Sequence, residues 1–116
     1  MRIHHVAFRT RDLARLEAFY GKLGFDVARR QEHSVWLRAG DAVLMLERAA
    51  ESESTNGPTT RELVAFATTD ALDTTKERLR NAGIVVEAET KFTVYFRDPD
   101  GRRLGISRFD LGSVHS

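Results

Sequence analysis

The segment from position 6 to 47 recurs in outline from 64 to 107, and a chain that repeats over nearly its whole length reads as two copies of one unit. Val6-Ala7-Phe8-Arg9-Thr10 answers to Val64-Ala65-Phe66-Ala67-Thr68, and the same shift sets Asp12 over Asp70. With one residue inserted, Leu23-Gly24-Phe25-Asp26-Val27 matches Ala82-Gly83-Ile84-Val85-Val86, and Val35-Trp36-Leu37-Arg38 matches Val94-Tyr95-Phe96-Arg97. A further inserted residue aligns Leu44-Met45-Leu46 with Leu104-Gly105-Ile106. The gaps fall between elements, where a duplication tolerates them.

At 116 residues the chain is one ordinary domain, too short for two independent cores, so each half is expected to depend on the other. Eighteen basic and 17 acidic residues leave a formal charge of +1, which argues against nucleic-acid binding through a basic surface. No stretch approaches the roughly 20 apolar residues of a membrane helix, and no membrane association is expected. Met1-Arg2-Ile3-His4-His5 leads directly into a strand pattern, and a cytoplasmic protein is the expectation. The chain has no cysteine, which excludes disulfides and thiolate metal sites.

Each copy reads as β-α-β-β-β. In the first, alternating residues from Ile3 to Arg9 predict a strand. Asp12 is a candidate N-cap for a helix whose Leu13, Leu16, Tyr20 and Leu23 share a face and which Gly24 can end. Strands are predicted over Phe25 to Arg30, Ser34 to Arg38 and Ala42 to Glu47, with Ala39-Gly40-Asp41 as a tight turn. The second copy predicts a strand over Glu62 to Ala67, and a helix capped by Asp70 with Leu72, Lys76, Leu79 and Gly83 in line. Strands over Ile84 to Glu89, Thr93 to Arg97 and Arg103 to Ser107 follow, the last two joined by Asp98-Pro99-Asp100-Gly101. The modules span 1–50 and 61–108, joined by a polar Gly/Pro-containing linker over 51–60. Residues 109–116 form a tail from which Phe109 and Leu111 can dock.

A doubled β-α-β-β-β unit that opens on His-His-Val-Ala-Phe and closes on Phe-Arg-Asp-Pro-Asp-Gly before a short apolar strand resembles the vicinal oxygen chelate superfamily. That group includes glyoxalase I, bleomycin resistance proteins, extradiol dioxygenases and methylmalonyl-CoA epimerase. The resemblance covers residues 1 to about 108. It implies an α+β fold in which two tandem βαβββ modules form half-barrels around a cavity for a divalent metal and a small ligand. It also implies metal ligands on the first and last strands of each copy, positions that fall here on His5, Met45, Leu63 and Gly105. One imidazole, one thioether, one alkyl group and no side chain at all do not make the three nitrogen or oxygen donors of a catalytic zinc or iron site. Glu47, two residues beyond Met45 and so on the same strand face, is the fallback partner for His5.

Each remaining candidate has two readings. His5 is the relic of a ligand or a proton carrier, or else a hydrogen-bonded side chain lining a half-polar cavity, and the structural reading is preferred. Glu47 is a general base or a solvated carboxylate, and the solvated reading is preferred because ionised Glu is seldom buried without a partner. Arg38 and Arg97, repeat equivalents, either clamp an anion or, as such residues more often do, close hairpin edges or pair with Asp41 and Asp98. Trp36 and Tyr95, also equivalents, either wall a ligand cavity or fill core. The leading expectation is a metal-independent protein that binds a small organic ligand through His5, Trp36, Arg38, Met45, Glu47, Leu63, Tyr95 and Gly105, with no catalytic residue and no cofactor. One rival is a glyoxalase-, epimerase- or dioxygenase-type enzyme using nickel, zinc, iron or manganese. Another is an interaction module without a ligand. A homodimer is expected, because edge strands in so small a domain favour cover.

Overall fold

The computed structural model describes residues 2–50 and 63–109. The proposed linker, the start of the Glu62 strand and Leu111 lie outside the described residues. The chain divides into two compact units. The first carries β1 (His5–Thr10), α1 (Leu13–Lys22), β2 (Val27–Arg30), β3 (Ser34–Ala39) and β4 (Ala42–Arg48). The second carries β5 (Leu63–Ala67), α2 (Leu72–Asn81), β6 (Ala88–Glu89), β7 (Thr93–Arg97) and β8 (Arg103–Ser107). Each unit is therefore a βαβββ module whose four strands form one mixed sheet, in the orders β1-β4-β3-β2 and β5-β8-β7-β6. In each, the first strand runs parallel to the last and the other pairings are antiparallel.

Alternation decides which face of each sheet meets its helix. Phe8, Val35, Leu37, Leu44 and Leu46 are buried with Leu16 and Tyr20 of α1, and the Phe8 and Tyr20 rings lie 6.0 Å apart. Val94, Phe96 and Leu104 are buried likewise in the second unit, as is Leu79 of α2. Full burial of such a side chain contributes about 1.5–3 kcal/mol, so a handful of them outweighs the propensities of short strands. The residues of opposite parity, which include all the site candidates of the sequence, project from the other face.

Both helices end in the same motif. Gly24 and Gly83 have positive φ (99° and 76°), Gly24 N–H donates to Gly21 O and Gly83 N–H to Arg80 O, both at 3.0 Å. Phe25 N–H then reaches back to Tyr20 O (3.2 Å) and Ile84 N–H to Leu79 O (2.9 Å), completing Schellman caps. This corrects the strands predicted from Phe25 and Ile84. Those residues spend their amides on the helix, so the ladders begin only at Val27 and Ala88. In the second unit Glu87 N–H bonds Tyr95 O (2.8 Å), but only two residues qualify as strand.

The helix starts differ. Asp12 caps α1 as expected, its carboxylate accepting from Arg15 N–H at 3.1 Å. Asp70 does not cap α2: the N-cap is Ala71, which makes no side-chain bond, and Asp70 instead pairs with Arg78 at 3.5 Å. The inserted residue of the second copy falls here and moves the start of the helix one place beyond the aspartate. Asp73 stays in the first turn, where its charge suits the helix dipole.

Both hairpin turns match their sequences. Gly40, at φ 63°, opens the two-residue loop between Ala39 and Ala42. The β7–β8 turn is tied by Asp98, whose buried carboxylate accepts from Asp100 N–H (2.9 Å), Arg102 N–H (3.0 Å) and the Arg102 guanidinium (3.0 Å). Phe109 docks edge-on against Phe92, with ring centres 5.2 Å apart. No helix among the described residues is long and apolar enough to cross a membrane.

Candidate functional site

In each unit the candidates lie on the sheet face turned away from the helix, and the strand pairing arranges them in rows. In the first sheet one row reads Ala7, Met45, Trp36, Arg29. The row on one side holds His5, Val43 and Arg38, and that on the other Arg9, Glu47 and Ser34. Trp36 is half-buried and fixed by a short polar relay: its indole N–H donates to Ser34 Oγ (3.2 Å), and Ser34 donates to Gln31 Oε1 (3.2 Å). The Arg29 guanidinium sits 5.5 Å from the Trp36 ring centre. Arg38 donates to the Val27 carbonyl at 3.0 Å, which steadies its guanidinium beside β2. At the Glu47 end of the strands opens a shallow depression of about 350 Å³, lined by Gln31, Glu32, His33, Ser34, Glu47 and Arg48.

The pairing separates His5 from Glu47. His5 is level with Val43 and Glu47 with Arg9, an offset of four residues or roughly 13 Å along the strands, too far for two side chains to share one ion. Glu47 has its own partner, Arg9 at 3.6 Å. His5 is exposed, and its Nδ1 lies 3.0 Å from Nδ1 of His4, so one imidazole donates to the other. Among the described residues no three His, Asp or Glu side chains come together.

The second sheet repeats the rows with other chemistry. Ala65, Gly105, Tyr95 and Ala88 form the row equivalent to that of Trp36, flanked by Leu63, Arg103 and Arg97 on one side and Ala67, Ser107 and Thr93 on the other. The Tyr95 ring lies over Gly105: a Cβ built on that glycine would stand 3.4 Å from two ring carbons and 3.3 Å from Thr93 Cγ2. The Arg103 guanidinium is stacked 4.4 Å from the Tyr95 ring centre. Arg97, the equivalent of Arg38, is occupied by Glu87 (2.8 Å) and the Gly101 carbonyl (2.9 Å) rather than by Asp98, which holds Arg102. Leu63, 41% exposed, offers no donor.

His5, Met45, Leu63 and Gly105 thus do not suit a divalent cation of the kind the resemblance implies. Three of the four lack a hard or borderline donor, and even a Cβ at position 105 would already touch the Tyr95 ring and the Thr93 methyl. Sequence reasoning missed Arg29 and Arg103. Parity alone pointed to Arg103, two residues before Gly105 and so on its face, whereas Arg29 faces Trp36 only because of a register shift between Val27 and Arg29.

Comparison with known proteins agrees with this architecture. No curated protein matches the sequence. Among solved structures, a lactoylglutathione lyase from Agrobacterium tumefaciens is 23% identical, with 92% of each chain covered and a TM-score of 0.74. The trypanothione-dependent glyoxalase I of Leishmania major is 23% identical over 93% of this chain and 86% of its own (TM-score 0.77). An integron cassette protein from a Halifax Harbour sewage metagenome is 19% identical over 93% and 98% (TM-score 0.78). At such identities the likeness is one of fold. The family model of the Glyoxalase/Bleomycin resistance protein/Dioxygenase superfamily matches residues 2–106, and with its two βαβββ modules the chain belongs to that superfamily.

Proposed function

We propose that this protein binds a small organic molecule against the aromatic faces of its sheets without a resident divalent metal, and sequesters, carries or senses it in the manner of a bleomycin resistance protein. The observation that supports this most is the Tyr95 ring lying over Gly105. Where a metal enzyme of this fold would need a donor, the chain has a bare backbone beside an aromatic ring that carries a guanidinium. Trp36 occupies the equivalent place in the first module, level with Met45 and Ala7, and is held in one orientation by Ser34. Aromatic rings beside apolar side chains suit stacking of a planar ligand. The same reading takes the protein as a cytoplasmic homodimer that engages neither nucleic acid nor membrane.

Elemental analysis of tag-free protein incubated with nickel, zinc, iron(II) and manganese, then freed of excess, tests the metal side. The expected content is below roughly a tenth of an equivalent per chain. A value near one equivalent would transfer the protein to glyoxalase, epimerase or dioxygenase chemistry. A thermal-shift screen against metabolites and antibiotics tests the ligand side, with an upward shift expected for at least one compound. A flat profile across the panel would leave an interaction module without ligand.

A further inference from the structure

Resting on that reading, the first module's face defines the ligand's chemistry: we propose that it selects a planar organic anion, an aromatic or conjugated carboxylate stacked on Trp36 with its charge held by Arg29 and Arg38. Three observations converge. Trp36 is half-buried and locked through its indole N–H, so it presents a ring of fixed orientation. Arg29 meets that ring, and Arg38 projects from the same face two residues along β3. Among the described residues neither guanidinium has a carboxylate partner, whereas Arg9, Arg30, Arg97 and Arg102 are each paired with one. The carboxylate in the adjoining strand rows, Glu47, is matched by Arg9.

The physical logic lies in what each contact leaves unused. A guanidinium over an aromatic ring engages its face, while its N–H donors point outward in the plane, ready for the two oxygens of a carboxylate. Arg38 gives one N–H to the Val27 carbonyl and keeps the others. Both groups are partly pre-oriented, which lowers the entropy cost of capturing an anion. The second module has the same pairing in Tyr95 and Arg103, but the arginine comes from the last strand rather than the second. An aromatic ring with a guanidinium over it is therefore built twice from non-equivalent positions.

The chain has one tryptophan, so the indole N–H of Trp36 gives a single resonance in a nitrogen-correlated NMR spectrum. Titrations with 2-naphthoate, 2-naphthamide and 2-naphthylmethylamine separate charge from shape. The expected result is that 2-naphthoate shifts the indole resonance and binds about tenfold tighter than the amide, with the amine weakest. The preference should vanish in the Arg29→Gln/Arg38→Gln variant and survive in Arg15→Gln, which removes the same charge from α1. Equal binding of acid and amide would overturn the selection for an anion and leave the small-ligand reading standing. Naphthoate binding that leaves the indole resonance in place, or is indifferent to the double variant, would overturn the site. Failure of all three probes would also overturn this inference, and the thermal-shift panel would then judge the broader reading separately.

Discussion

At the scale of single residues, Tyr95 and Gly105 depend on each other. Gly105 has an ordinary backbone conformation, so glycine is not needed there for φ; a Cβ would already touch the Tyr95 ring at 3.4 Å and crowd the Thr93 methyl at 3.3 Å, so a longer side chain has to contend with both. A carboxylate introduced by Gly105→Glu has to displace the Tyr95 ring and its stacked Arg103, an overpacking cost of about 1–3 kcal/mol. In a Tyr95→Ala background that obstruction is gone. Denaturant unfolding of the two single variants and the double variant should therefore give a favourable coupling of about 1 kcal/mol or more. Additive losses would mean that Tyr95 does not fill the position. The same contact explains why this part of the site was only half legible in sequence: a tyrosine two residues before the Arg97 turn and a glycine in the facing strand are visible, but their contact is a matter of register.

At the scale of elements, each helix is tied to the edge strand of its own sheet by one ion pair, and the two pairs occupy repeat-equivalent positions with the charges exchanged. Glu17 of α1 holds Arg30 of β2 through two bonds, the Nη2–Oε2 contact being 2.9 Å, while Lys76 of α2 holds Glu89 of β6 at 3.2 Å. The hydrogen bond from Arg30 lowers the Glu17 pKa, and the bond to Glu89 raises that of Lys76. The linkage signs are opposite. A lowered carboxylate pKa stabilises the fold above the unfolded value and loses that contribution as pH falls through the folded value; a raised ammonium pKa stabilises below its unfolded value and loses it as pH rises through the folded one. Chemical denaturation should thus find Glu17→Gln destabilised at neutral pH but level with the parent in acid below the carboxylate range. Lys76→Gln should be destabilised at neutral pH and level with the parent only in alkali above the lysine range. Both effects will be small, since the pairs are partly solvated and screened by salt. The elements themselves were readable from periodicity and repetition, and β3, β7 and β8 match closely because alternation and turn residues agree there. The starts of β2 and β6 were not, since an apolar residue after a helix-ending glycine suits a strand and a Schellman cap equally. Asp70 misled for a similar reason: capping depends on where the first helical turn closes, which one inserted residue changes.

At the scale of the whole molecule, the division into two units raises the question of whether either is stable alone. Each has fewer than about 60 residues, a size at which the buried fraction of the chain barely offsets conformational entropy. Each core is also small, centred in the second unit on Leu79, Val94, Phe96 and Leu104. Size therefore argues for one cooperative transition, and the distribution of aromatic residues allows a direct test, because the only tryptophan lies in the first module. Leu79 is fully buried in the second, and truncating it to alanine should cost about 2–5 kcal/mol. If the chain unfolds as one body, urea titration followed by Trp36 fluorescence will show the midpoint of Leu79→Ala falling with that followed by far-ultraviolet circular dichroism. The reporter would thus register damage in a module it does not belong to. A Trp36 midpoint unchanged by the substitution, with dichroism splitting into two transitions, would mean that each βαβββ unit folds on its own.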